Sequence, residues 1–210
     1  MLPRENRRPG RPPAVKASET RQRIIHAARQ MFSERGYDGA TFQAIAARAD
    51  LTRPSINHYY ASKRELYRDV MDDANELIIG AGIKQAEFET TLVARLTAFV
   101  SAAVQAHAED PAASALIIGG VLESQRQPLW TTTENASVRI AREFLIRAVN
   151  DAIDRGEIAG IDKSVLVDAV LVIAAGVGLY AAYIQSQHKL LAVTGVLRQM
   201  LEDALRGPHG

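Results

Sequence analysis

The segment from Thr41 to Leu66, TFQAIAARADLTRPSINHYYASKREL, leaves little room for anything but two short helices meeting at a tight turn. Thr41 is placed to N-cap the first, whose inner side is Phe42, Ile45 and Ala46, the last small enough for a crossing helix to come close. In the turn Ala49-Asp50-Leu51, Asp50 stands where a left-handed residue is wanted, and aspartate is among the few residues besides glycine that visit that region at tolerable cost. Thr52 caps the second helix, and Pro54 falls in its first turn, where a missing N–H leaves no bond unmade. With Ile56 and Tyr59 turned inward, Arg53, Ser55, Asn57 and His58 face outward beside Thr52 and Pro54, and small and amide side chains of this kind suit the base edges of a DNA major groove. Two short helices joined across an alanine recur in many settings, so the neighbours decide what this pair is for.

Upstream, Ile24, Ile25, Ala28 and Phe32 recur at three- and four-residue spacing, predicting an amphipathic helix over Thr20 to Arg35 that ends at Gly36. It supplies the third helix of a small head. Downstream, Ser62-Lys63-Arg64-Glu65 reads as a capping box opening a further helix, with Lys63 at its positive end, where a phosphate oxygen has a place to sit. Charge divides at the same point. Residues 1–64 hold 13 Lys and Arg against 5 Asp and Glu, a net of +8, whereas residues 65–210 hold 12 against 19, a net of −7. A basic end joined to an acidic body is the pattern of a nucleic-acid-binding part carried by one that stays off the phosphates.

The expected organisation is a disordered basic arm over 1–17, a helix-turn-helix DNA-binding domain over 18–64 and a helical domain over 65–210. In the arm, Arg8-Pro9-Gly10-Arg11-Pro12 sets Arg8 and Arg11 around a Pro-Gly turn. That composition suits either a narrow minor groove or a solubilising tail with general phosphate attraction. The first 20 residues lack the apolar run of a secretory signal, and the chain has no cysteine, which excludes disulfides, Cys-based zinc sites and thiol nucleophiles and fits a cytoplasmic protein.

Beyond Ser62 the apolar residues keep helical spacing throughout, so the fold class is all-α. One long helix is expected from Ser62 to about 86, with Leu66, Tyr67, Val70, Met71, Leu77 and Ile78 inside, followed by helices near 90–108, 112–125, 131–156, 162–185 and 189–206. The stretch Ala169 to Ile184 is apolar on every side, yet at 16 residues it falls short of the roughly 20 that a bilayer requires. A helix of this kind is better buried on two sides, against its own domain and a second subunit, so the last two helices are expected to form a homodimer interface with no membrane involved.

No catalytic constellation is visible. The five histidines are scattered without metal-ligand spacing, Gly176-Val177-Gly178 follows no strand, and Gly119-Gly120 lacks a phosphate-loop lysine, so no enzyme activity, metal or cofactor is expected. Phe99, His107, Gln125, Trp130, Phe144, Tyr180 and Tyr183 combine aromatic bodies with polar tips. They suit either an ordinary core or a pocket for an apolar or aromatic small molecule.

Taken together, the motif, the leading helix, the basic arm and the acidic helical body resemble the tetracycline-repressor-like (TetR) family of transcription regulators, strongly over about residues 18–66. That family's small residue, Gly-Val-Ser or Gly-Val-Thr, Lys-Gly-Ser-Leu-Tyr-His-His-Phe and Ser-Lys-Glu-Leu correspond here to ADLTRPSINHYYASKREL, with Asp50 for the turn glycine, Arg53-Pro54 for Lys-Gly and Asn57 where tyrosine is usual. The resemblance implies a three-helix DNA-binding head joined to a helical-bundle ligand-binding and dimerisation domain. It further implies a palindromic double-stranded operator, a small-molecule effector and a homodimer. Thr41, Thr52, Tyr59 and Lys63 would then bind phosphates, with Arg53, Ser55, Asn57 and His58 in or near the major groove. The expected function is that of a repressor released by its ligand. Two other readings of the residues stay open: a sequence-independent architectural DNA-binding protein, and an all-helical carrier or enzyme with a DNA-localising head.

Overall fold

A computed structural model of the chain describes residues 13–124, 136–158, 160–184 and 186–206, and among these every regular element is a helix. The first, α1, runs Pro13–Gly39 with Gly36 breaking its geometry at φ 67°, ψ 176°. It therefore starts earlier than expected: residues 13–17 are helical rather than part of an arm, because Pro13 suits a first helical position and Ala14 to Ser18 keep the helix going. Next come α2, Phe42–Arg48, and α3, Arg53–Tyr59, which with α1 make the three-helix head.

Its core gathers Ile24, Ala28 and Phe32 of α1, Ile45 and Ala46 of α2, and Ile56, with Tyr60 closing the far side. The inward residue at the end of α3 is thus Tyr60, while Tyr59 is only half-buried against the same core. Burial, followed by the Asp69 carboxylate, pushes the Tyr60 phenol up.

The head does not end where the charge does. Leu66, Tyr67, Val70 and Met71 of α4, Lys63–Asn75, belong to the head core, as do Ala113 and Leu116 of α7, Pro111–Ser124. Phe32, Tyr37 and Tyr67 interlock there, the Phe32 ring meeting Tyr67 edge-on at 5.0 Å.

The expected long helix to residue 86 is α4, a π-helical stretch Glu76–Gly80 and α5, Ala81–Ala86. The wider π turn shifts the inward face, so Ile79 is buried and Leu77, expected inside, is exposed. Gly82 then lets α5 lie close on α6, Leu92–Glu109, since a Cβ at that position would stand 2.7 Å from the Phe99 ring.

The body core joins α6 to α8, Ala136–Asp154, and α9, Lys163–Tyr183, through Leu92, Leu96, Phe144, Leu145, Val149, Val167 and Val170. The last helix, α10, Gln187–Arg206, lies on α6 and α9. Residues Thr41, Thr52, Ser62, Thr91, Asp110, Asp162 and Ser186 each accept the N–H three positions on, so seven of the described helices open on a side-chain cap.

At 21 residues, α9 outruns the apolar stretch read from the sequence and is long and apolar enough to cross a bilayer by length and composition. Here it is held from one side, with Leu166, Val167 and Val170 in the body core and Asp168 paired with Arg142 of α8.

Candidate nucleic-acid interface

Asp50 has φ +52°, the left-handed conformation expected at this turn. The turn is also tied from outside: Arg23 of α1 donates to the Ala49 carbonyl at 2.5 Å and the Asp50 carbonyl at 3.4 Å. Arg48, at the end of α2, grips both carboxylate oxygens of Glu34 at 2.6 and 2.8 Å, and this bond to Arg48 is the chief cause of a Glu34 carboxyl held below its ordinary value. The two helices are thereby locked to α1 before any ligand arrives.

On that support, α3 presents Thr52, Arg53, Pro54, Asn57 and His58 to solvent. The side chains of Arg53 and Asn57 make no hydrogen bond to the described residues, so their donors stay available. Ser55 is half-buried, and its hydroxyl lies 2.9 Å from that of Thr52, whose oxygen also accepts the Ser55 amide at 3.3 Å. It serves the helix cap as well as the exposed face. His58 stands edge-on to the Tyr59 ring at 5.4 Å, and Thr41, exposed, caps α2 from the Ala44 amide at 3.2 Å.

Lys63 is placed differently from its expected role. Its ammonium donates to the carbonyls of Tyr37 at 2.8 Å, Ala40 at 3.1 Å and Asp38 at 3.4 Å, and sits 4.3 Å above the Tyr37 ring. Those bonds use its three donors, so Lys63 fastens α4 to the end of α1 instead of pointing at a phosphate. The Ser62 cap forms as predicted, but Glu65 reaches back to the Ala61 amide at 2.9 Å, one residue before the cap. Arg8 and Arg11 lie outside the described residues.

Sequence reasoning missed Arg29. It occupies the apolar stripe of α1, four residues after Ile25 and three before Phe32, and a cation on an inward face signals a buried partner. It pairs with Asp73 of α4 and Asp110 between α6 and α7, with His26 Nδ1 at 3.3 Å. Burial, the largest influence on Asp73, outweighs Arg29 and raises that carboxyl above its usual value.

Of the aromatic and polar residues considered for a ligand pocket, the structure brings two together. Phe99 and Phe144 stack at 5.2 Å in the wall of a cavity of about 270 Å³ between α6, α8, α9 and α10. Tyr180 instead packs on Val104, Ala181 and Leu190. His107 is half-buried outside the cavity, with no hydrogen-bond partner for its buried Nδ1, and Tyr183 is 84% exposed. Gln125 and Trp130 lie outside the described residues. No group of three or more His, Asp or Glu side chains that could hold a metal occurs among the described residues.

The outer faces of α9 and α10 are apolar and uncovered: Val172 is 71% exposed and Met200 63%, with Val165, Leu179 and Val196 also out. This is far more than the scattered surface hydrophobics of an ordinary helix.

Residues 24–70 match the family model described as bacterial regulatory proteins, tetR family. The chain is 32% identical over 151 residues to the transcriptional activator FasR of Mycolicibacterium smegmatis, spanning 71% of this chain and 64% of that one. Over 145 residues it is 25% identical to the transcriptional regulator UidR of Escherichia coli, spanning 69% and 72% respectively. The fold superposes on that of Salmonella enterica GusR with a TM-score of 0.72 at 25% identity, over 90% of this chain and 96% of the other.

Proposed function

The chain belongs to the tetR family of bacterial regulatory proteins and is a DNA-binding transcriptional regulator, and on that premise we propose that it works in the cytoplasm as a homodimeric repressor released from a palindromic operator by a small molecule. The observation that carries the reading is α3, a capped helix whose exposed Arg53, Asn57 and His58 make no side-chain hydrogen bond to the described residues and so can turn their donors to base edges. Arg53, with a forked donor, is assigned to a guanine and Asn57 to an adenine, the pairings their geometry favours. Thr41, Thr52 and Tyr59 are assigned to flanking phosphates, and Lys63 is assigned the bracing role.

A second copy of the α9 and α10 faces is the natural cover for their exposed apolar residues and would carry two heads on one duplex. The cavity between α6, α8, α9 and α10 is assigned to the effector. Its wall includes Leu96, Thr97, Phe99, Val100 and Ser101 of α6, and α6 ends one residue before Asp110, which Arg29 ties to the head. About ten residues of helix, roughly 15 Å, therefore join the ligand seat to the head. If the ligand favours a body shape whose heads are wrongly spaced, ligand and DNA become mutually exclusive by linkage.

The test is a gel-shift competition at moderate salt. A regulator prefers the DNA upstream of its own gene over random duplex by at least about a thousandfold. Equal competition would favour a sequence-independent architectural role and overturn this one.

A further inference from the structure

We infer that the effector cavity takes an amphiphile with an apolar body and an anionic head, the head lying at the edge formed by Thr97, Ser101 and Arg198. This rests on the assignment of that cavity to the effector. Apart from Thr97, Ser101, Thr194, Gly195 and Arg198 the cavity wall is built of aliphatic and phenyl side chains, and among its described lining residues Arg198 is the one charged group. Thr97, Ser101 and Arg198 also line a broad open groove along the exposed side of α6. The cavity is therefore polar at the edge where it meets that groove. At its other edge Ile173 and Leu191 are exposed on the apolar faces of α9 and α10, which a partner subunit would cover. In a dimer, the polar edge is the entrance that stays open.

Size and charge then narrow the occupant. At the roughly 30 Å³ that a water-sized group occupies in a liquid, about 270 Å³ holds some nine such groups, a chain of about nine carbons. A flexible polar ligand would leave its own groups unpaired against Phe99, Phe144, Leu145 and Leu201. Arg198 is half-exposed and bonded to Glu202, one turn on, at 3.0 Å. That bond engages one terminal nitrogen of Arg198, and the remaining donors of the guanidinium fork can take a ligand carboxylate. Gly195 of α10 also lines the cavity, and a Cβ there would meet no atom within 4 Å.

The experiment is calorimetric titration of the full-length protein, without DNA, with decanoate, decan-1-ol and decyltrimethylammonium. Decanoate is expected to bind at least about tenfold more tightly than the other two. Arg198→Gln should erase that preference while leaving decanol binding unchanged. Gly195→Leu, which puts a side chain into the space and improves helix propensity, should weaken decanoate and decanol alike by more than tenfold with a melting temperature no lower than the parent's. Equal binding of the three ligands, tighter binding of the cation, or a decanoate preference that survives Arg198→Gln would each overturn the inference. A gel shift separates it from the reading beneath it: decanoate that binds as expected yet leaves operator affinity unchanged upholds the amphiphile assignment and counts against ligand-driven release.

Discussion

Arg29 of α1 closes onto the carboxylate of Asp110, 81 residues further along the chain at the corner between α6 and α7, while its other terminal nitrogen holds Asp73 of α4. The guanidinium is only 7% exposed and the two carboxylates 24% and 21%, so the pairings lie where water screens them poorly. Replacing Arg29 with Met keeps the bulk and strands two acids. Because both acids retain some solvent, the expected loss is about 2 kcal/mol, below that of a fully buried pair, measured by urea unfolding. An unchanged midpoint would show that the two helices hold together by apolar contact alone.

The left-handed Asp50 separates backbone strain from side-chain chemistry. Alanine gains nothing from a φ of +52° and should cost about 1 kcal/mol, whereas glycine adopts it freely and should leave stability the same or higher. Thermal melts of the two variants check this, and equal destabilisation by both would mean that the Asp50 side chain matters more than its backbone.

Arg53→Ala and Thr52→Ala should fail in different ways. Loss of a bidentate guanine contact costs about 1 to 3 kcal/mol, so Arg53→Ala is expected to weaken operator binding by roughly 5- to 150-fold while random duplex is held nearly as before. Thr52→Ala removes the cap of a seven-residue helix and should lower stability by about 1 kcal/mol as well as weakening both kinds of binding.

Glu157 gives a pH dependence. Burial opposes ionisation, but the Leu92 amide at 2.8 Å and Arg155 at 2.6 Å outweigh it, and the carboxyl is held below its usual 4.5. A depressed carboxylate contributes stability that is fully present above the unfolded value and disappears as pH falls through the folded one. Glu157→Gln should therefore be less stable than the parent by about 1 kcal/mol near neutrality, and the difference should close below pH 4.5. A gap constant down to pH 3 would assign the effect to packing.

Val172→Glu places a charge in the exposed apolar face of α9. Sedimentation is expected to move from a dimer of two 22.9 kDa chains to a single chain at micromolar concentration, with helicity retained. A variant that stays dimeric would move the interface elsewhere.

How far the residues could be read in advance varied with the distance between partners. Asp50 and the caps at Thr41, Thr52 and Ser62 were legible because each depends on atoms within about four residues. The exchange of Leu77 for Ile79 was not, since both suit an apolar face and only the π turn at Glu76–Gly80 decides which points inward. Lys63 was misplaced for a related reason. A helix N-terminus advertises anion binding, but nothing local shows that the carbonyls of Tyr37, Asp38 and Ala40 arrive first.

Periodicity, caps and charge division were enough to determine an all-helical chain with a basic reading head, because these depend on backbone geometry over a few turns. Which pair of aromatics would share a cavity, and that Arg29 would join head to body, was settled only when helices far apart in the chain came into contact. Phe99 meets Phe144 and Arg29 meets Asp110 across separations that no helical period spans. Short-range order follows from residue types, whereas cavities and buried charges exist only where several helices have already excluded water.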